Sequence, residues 1–360
     1  GLRIQKDYLW KEVSGIKFYS YTIEGSKFSS RENPCDSNSV FATYAGPFDT
    51  VIFQGTKFQL GVTVEIDRNT ASMMYSHSYS GQFIITDPKI EKQIKYPLSI
   101  GVCKKCKHLQ IQNIVNPKKL FNYYEWETGV SKSNIYLISS LLKKNFNLGN
   151  KSKVFEIASN DGSLLKETKN KYKSFVLGID PAKNLLKVSK KNEIKTIVDF
   201  FSYKKSKKIK SKYGFFDFCI ARNVIAHTAN PNDIFKGVSN LMNNKSIFVI
   251  EVPHLESIYK DNQYDNMFHE HIGFHSIQSI EDLCIKNDLK IVNVKKIDSQ
   301  GGSIRCYISK KISKAKKDNK VKLFLYKERK IGLFKLKTWI DFSKKVNKHK
   351  KKLNNFLKKL

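Results

Sequence analysis

The sequence has 360 residues, long enough for two or three domains, and its 40% hydrophobic content is ordinary for a globular chain. No apolar run reaches the roughly 18 to 20 residues that span a bilayer as a helix, which sets aside a membrane-spanning helical protein. The net charge of +33 suggests nucleic acid at first, but Arg3, Arg31, Arg68, Arg222, Arg305 and Arg329 are the only arginines among 65 basic residues. Guanidinium is the better group for bidentate phosphate and base contacts, so the lysine excess reads as composition bias. No nucleic-acid or membrane partner is expected, and oligomeric state stays open. Residues 1–90 hold nine basic and nine acidic residues, so the whole excess lies in 91–360. Six cysteines, with one close pair, fit a reducing, cytoplasmic setting better than a disulfide scaffold.

In chain order, residues 1–72 read as a β-rich segment. "SVFATYAGPF" and "TVIFQGTKFQLGVTVEID" are β-branched and aromatic runs broken by Gly and Pro, with no catalytic constellation among them. Residues 73–118 contain "YPLSIGVCKKCKHLQI", where Cys103 and Cys106 have metal-ligand spacing. A closed zinc site takes four ligands; with one C-x-x-C the segment reads as a partial zinc-ribbon-like module, and zinc is left open. Residues 119–149 read as a helical linker, with "SKSNIYLISSLLKKNF" capped by Ser131 or Ser133.

From 150 to 308 strands and helices alternate. "KVFEIA", "SFVLGID", "IKTIVDF", "FFDFCIA" and "SIFVIEV" are strands, with helical stretches "SLLKETKNKYK", "PAKNLLKVSKK" and "PNDIFKGVSNLM" between them. The pattern predicts an α/β fold, a Rossmann-like parallel sheet. After a long insertion, 253–276, come the helix "SIQSIEDLCIKND" and two strands separated by "SQGG", expected to form a terminal antiparallel hairpin. Residues 309–360 read as a basic amphipathic helical tail.

The loop after the first core strand is Ala158-Ser159-Asn160-Asp161-Gly162. A dinucleotide loop needs G-x-G-x-x-G for close approach to pyrophosphate. Here there is one glycine, and Glu156 and Asp161 add negative charge. Such a loop suits a cofactor with cationic groups and no phosphate: S-adenosylmethionine (SAM). Asp180 ends the second strand, where a carboxylate can take the ribose hydroxyls. Asp199 and Phe200 end the third, beside the expected adenine. Asn223, in "ARNVIAH", is expected at the methionine end.

"VFEIASNDGSLL", "NVIAHTANP", "FHEHIGFHS" and "QGGSIRCYI", in this order, resemble the sugar-nucleotide C-methyltransferases, class I enzymes that methylate a carbon next to the ketone of a 4-keto-deoxysugar nucleotide. The likeness runs over roughly 78–360. "YSGQF…YPLSIGVCKKCKHLQI" resembles the end of that family's zinc module and "NYYEWETGVSKSN" its linker. The resemblance implies His271 as general base, Glu270 as its orienter or a sugar contact, and His227 near the substrate ketone. It also implies Tyr124, Trp126 and His269 around the sugar, and Gly302 and Arg305 on the substrate side, Arg305 pairing with a phosphate. Phe268 stands where the family commonly carries tyrosine, and the family continues into a further C-terminal domain. A SAM-dependent O- or N-methyltransferase of a small metabolite, a nucleic-acid methyltransferase and an inactive fragment remain as alternatives.

Overall fold

The computed structural model describes residues 2–13, 16–25, 40–45, 49–76, 82–86, 98–103, 108–121, 124 and 132–357. Cys106, Trp126 and Ser131, singled out above, lie outside the described residues. The chain divides into two compact units, Gly1–Lys95 and Tyr96–Leu360.

In the first unit, β1 (Leu2–Val13) and β2 (Ile16–Gly25) pair antiparallel. β3 (Val40–Tyr44) is followed by the hairpin of β4 (Thr50–Phe53) and β5 (Thr56–Gln59), then by β6 (Thr63–Ile66), α1 (Arg68–Ser76) and β7 (Phe83–Thr86). β3 lies between β6 and β7. The hairpin turns on Gln54 and Gly55, both with positive φ, the geometry that matches strand twist. Tyr44, Phe53 and Phe58 all pack their rings on Phe83. The Asp67 carboxylate accepts from Thr70 N and Oγ1 and starts α1. That helix runs across the boundary expected at 72/73, and the units part at 95/96 instead.

The second unit opens with a short ribbon, β8 (Ile100–Val102) and β9 (Leu109–Ile111), then α2 (Pro117–Phe121) and α3 (Lys132–Phe146). The alternating core follows: β10 (Lys153–Ile157), α4 (Ser163–Tyr172), β11 (Phe175–Asp180), α5 (Leu185–Lys191), β12 (Thr196–Val198), α6 (Tyr203–Tyr213), β13 (Phe216–Arg222), α7 (Pro231–Leu241) and β14 (Met242–Pro253). After α8 (Leu255–Lys260) and β15 (Gly273–Phe274) come α9 (Ile277–Lys286), β16 (Leu289–Ile297), β17 (Ser303–Lys310), α10 (Asn319–Ile331) and α11 (Leu336–Leu357). The sheet order is β12-β11-β10-β13-β14-β17-β16. The first five strands are parallel, and β17 runs antiparallel between β14 and β16.

Side chains alternate across this sheet, so both faces are buried. Phe155 and Ile157 pack in one core, with α7 and α9; Val154 packs in the other, with α3 and α4. Order reverses between β10 and β13, the place where open α/β sheets bind ligands beyond their carboxyl ends. α9 starts where Ser276 and Ser279 cap each other's backbone, and α7 where Asn230 caps Asp233 N ahead of Pro231. The basic tail is two helices rather than one, since Gly332 ends α10 at φ +78°.

The insertion after β14 is held on three sides. β15 adds to the ribbon as a third strand beside β9, and Ile111 N donates to Ile272 O. Ile272 N donates to Ala226 O in the 3-10 turn Ile225–His227 after β13. Leu255, Ile258 and Phe274 share a core with Leu333, Trp339 and Phe342 of the tail.

Candidate active site

The loop from Ile157 to Ser163 is wound tightly. Ala158, Asn160 and Gly162 have φ of +54°, +52° and +76°, left-handed values that cost a non-glycine residue about 1 kcal/mol or more. Backbone bonds repay part of this. Asn160 N donates to Asp180 Oδ2 at 2.9 Å, and Ser159 N to Ile179 O at 3.2 Å. Gly178 on β11 makes room: a Cβ there would stand 2.3 Å from Ser159 Oγ. Asp180 takes Ala182 N on its other oxygen, at 2.8 Å. Its burial raises its pKa, and the two backbone bonds oppose the rise.

Above this loop lies a cavity of about 1420 Å³. Ala158, Asn160, Asp180, Asp199, Phe200 and Asn223 line it, and so do Tyr124, His227, Glu270 and His271. Tyr124 is pinned by Asn184, which accepts from its N and donates to its carbonyl. Burial raises the Tyr124 phenol, helped by the charges of Glu270 and Asp180.

Six expected site residues stand elsewhere. Glu156 is buried beneath the loop and holds Arg222, whose Nε and Nη2 donate to its Oε1 at 3.1 and 2.8 Å. Desolvation pushes this carboxyl up to about 7 in spite of the guanidinium. Asp161 is also buried, its Oδ1 accepting from Ser163 N at 2.9 Å to start α4, and Gly162 packs on Ile194. His269 does not line the cavity. Neither does Gly302, which packs against Ser257. Arg305 does not face a ligand phosphate: it sits mid-sheet, 1% exposed, with Nε on Glu251 Oε1 at 2.5 Å. Gln300 and Gly301 of the same motif do line the cavity.

At the far wall His271 Nδ1 lies 2.7 Å from Asn266 O. A carbonyl only accepts, so Nδ1 carries the hydrogen and Nε2 the lone pair. The His271 ring lies 4.9 Å from His227 and 4.3 Å from Phe268. Burial lowers the pKa of His271 and holds His227 at about 4, so both are neutral imidazoles at pH 7. Burial also raises Glu270.

Sequence reasoning missed Arg222 and Glu251, both lining the cavity. Their signal was present: each is a charged residue at the carboxyl end of an apolar core strand. At the ribbon, Cys103 is half-buried and its N donates to His108 O. Among the described residues no group of three or more His, Cys, Asp or Glu is placed to hold a metal.

The donor set fits SAM. Asn223, which lines the cavity, has a buried Oδ1 acceptor without a hydrogen-bond partner among the described residues. Such an acceptor on a cavity wall with nearby carboxylates suits a ligand that brings N–H groups and positive charge.

Comparison with known proteins agrees with this chemistry. A family model described as "Methyltransferase domain" matches residues 131–294, and one described as "C-methyltransferase C-terminal domain" matches 298–360. The "C-methyltransferase NovU" of Streptomyces niveus is 30% identical over 212 residues, 58% of this chain and 50% of that protein. The match thus spans about half the length of this curated relative. Among solved structures, the PH0226 protein of Pyrococcus horikoshii OT3 is 16% identical with a TM-score of 0.42, covering 54% of this chain and 98% of that one. The magnesium protoporphyrin IX methyltransferase of Synechocystis PCC 6803 with bound SAM is 12% identical with a TM-score of 0.38, covering 50% and 79%. With two domain matches in tandem and a C-methyltransferase relative, residues 131–360 of the chain are similar to the SAM-dependent C-methyltransferases.

Proposed function

We propose that this protein transfers a methyl group from SAM to the carbon next to the ketone of a 4-keto-deoxysugar nucleotide, with His271 as general base. The observation that carries the reading is the tautomer of His271: Asn266 takes its Nδ1 hydrogen and leaves a basic Nε2 in a group lining the cavity. Carbon methylation beside a ketone needs a base, an enolate stabiliser and an orientation toward the methyl donor.

In this reading Ala158, Asn160, Asp180, Asp199, Phe200 and Asn223 hold SAM, which supplies an electrophilic methyl on its sulfonium. Asp180 meets the ribose hydroxyls with the lone pairs its two backbone bonds leave. His271 Nε2 takes the proton from the carbon beside the ketone. His227, neutral and 4.9 Å away, offers a hydrogen bond near the developing enolate oxygen. Glu270 and Tyr124 wall the sugar. The hydrophobic ring of Phe268 on His271 limits water at the base.

Incubation with methyl-labelled SAM and a panel of 4-keto-6-deoxysugar nucleotides, phenols and amines tests the reading. Label on the carbon beside the ketone is expected. Label on oxygen or nitrogen would replace this function with the alternative small-molecule methyltransferase.

A further inference from the structure

The charge inside the cavity is opposite to that of the protein. Among the described lining residues, the carboxylates are Asp180, Asp199, Glu251, Asp265, Glu270 and Asp298, and the one strong cation is Arg222. No lysine stands among those residues, in a chain with 65 basic residues. Asp199 is paired with Lys205 and Glu251 with Arg305, and the other four carboxylates leave the lining acidic. A ligand with two cationic centres and one carboxylate is the complement, and it has one place to put that carboxylate.

Arg222 is built for the task. It ends β13, one residue before Asn223, and lies in register with Glu251 on β14. Glu156 on β10 holds it from below through two N–H groups on one oxygen. A guanidinium has five N–H donors, so further donors are left, and the side chain lines the cavity while its partner is buried. Along the sheet edge Asp199 belongs to the β12 end, Asp180 to β11 and Ala158 to β10. A donor with its adenosine over β11 and β12 brings its amino-acid end to β10 and β13, where Arg222 stands.

We propose that Arg222, clamped by Glu156, is the binding site for the carboxylate of the methyl donor's methionine end. Glu156 is the positioning residue: it fixes the guanidinium plane and does not itself line the cavity. The proposal rests on the reading of the cavity as the SAM site, and its test separates the two.

Calorimetry of the full chain would compare S-adenosylhomocysteine with S-adenosyl-3-thiopropylamine, which keeps the amine and lacks the carboxylate. A charge-assisted bidentate pair predicts that the wild type prefers the carboxylate ligand by about 10- to 100-fold. In Arg222→Met that preference falls to within about 3-fold, through loss of the carboxylate ligand alone. Since Arg222→Met leaves Glu156 buried without its partner, the double variant Glu156→Gln/Arg222→Met serves as the second test and should show the same loss. If the wild type binds neither ligand, the SAM reading fails. If both ligands bind and the preference survives in either variant, or both ligands weaken equally, the assignment of Arg222 is wrong while the SAM reading stands.

Discussion

At the scale of single residues, the carbonyl of Asn266 and the ring of Phe268 together set the state of His271. On the proposed reaction, His271→Gln keeps a polar group of similar size but removes the base. Turnover should fall by about 10² to 10⁴, with S-adenosylhomocysteine affinity unchanged by calorimetry. The pKa of His271 is lowered by burial from the usual 6.5, and the base works only when unprotonated. A plot of kcat/KM against pH should therefore rise through an inflection below 6.5 and stay flat above it. An inflection above 7 would assign the step to another group. Among these residues, "HEH" stood out through its resemblance to the family and its imidazoles beside a carboxylate; Glu270 and His271 line the cavity and His269 does not. Arg305 misled, because a motif shows neighbours along the chain and not across the sheet. Its register with Glu251 puts it in the interior.

At the scale of elements, the tightly wound loop and Asp180 act as one unit. Asp180→Ala removes the acceptor of Asn160 N and Ala182 N, and each bond to a charged group contributes about 1.5 to 3 kcal/mol. S-adenosylhomocysteine binding should weaken at least tenfold by titration, more than in Asp199→Ala. The clamp on the insertion gives a second test. Trp339 packs with Tyr259 and Phe342 and donates Nε1–H to Leu333 O. Trp339→Ala should cost about 3 to 5 kcal/mol in urea denaturation. It should also raise KM for the acceptor more than Kd for the methyl donor, because the insertion carries His271 and the loop after β10 does not. The five core strands were legible as apolar runs with turn signals. α6 was not: it is "YKKSKKIKSKY", with Ser206 and Ile209 as its buried positions, too few apolar residues to show a helical period. The ribbon's third strand was also hidden, because β15 is two residues long and pairs with a segment over 150 residues earlier.

At the scale of the whole molecule, the buried histidines set acid stability. Burial holds His108 and His227 at about 4 and His275 at about 3. Unfolded histidine titrates near 6.5, so below that pH the unfolded state binds protons that these folded sites refuse. Their stabilisation is complete above 6.5 and is lost as pH falls toward 4 and then 3. Glu156, raised to about 7, works the other way: its burial cost is relieved as pH falls from 7 toward 4.5. Three histidines against one glutamate decide the sign, and the urea midpoint should drop steadily from pH 6.5 to 4. No lysine is among the described residues lining the cavity, and among the described residues no helix is long and apolar enough to cross a membrane. The claim on which the chemistry turns is that His271 removes a proton from the carbon beside a ketone. The direct measurement is hydrogen–deuterium exchange at that carbon, followed by NMR in heavy water with a 4-keto-6-deoxysugar nucleotide and S-adenosylhomocysteine in place of the methyl donor. Exchange by the wild type and none by His271→Gln is the result predicted; equal exchange by both would contradict it.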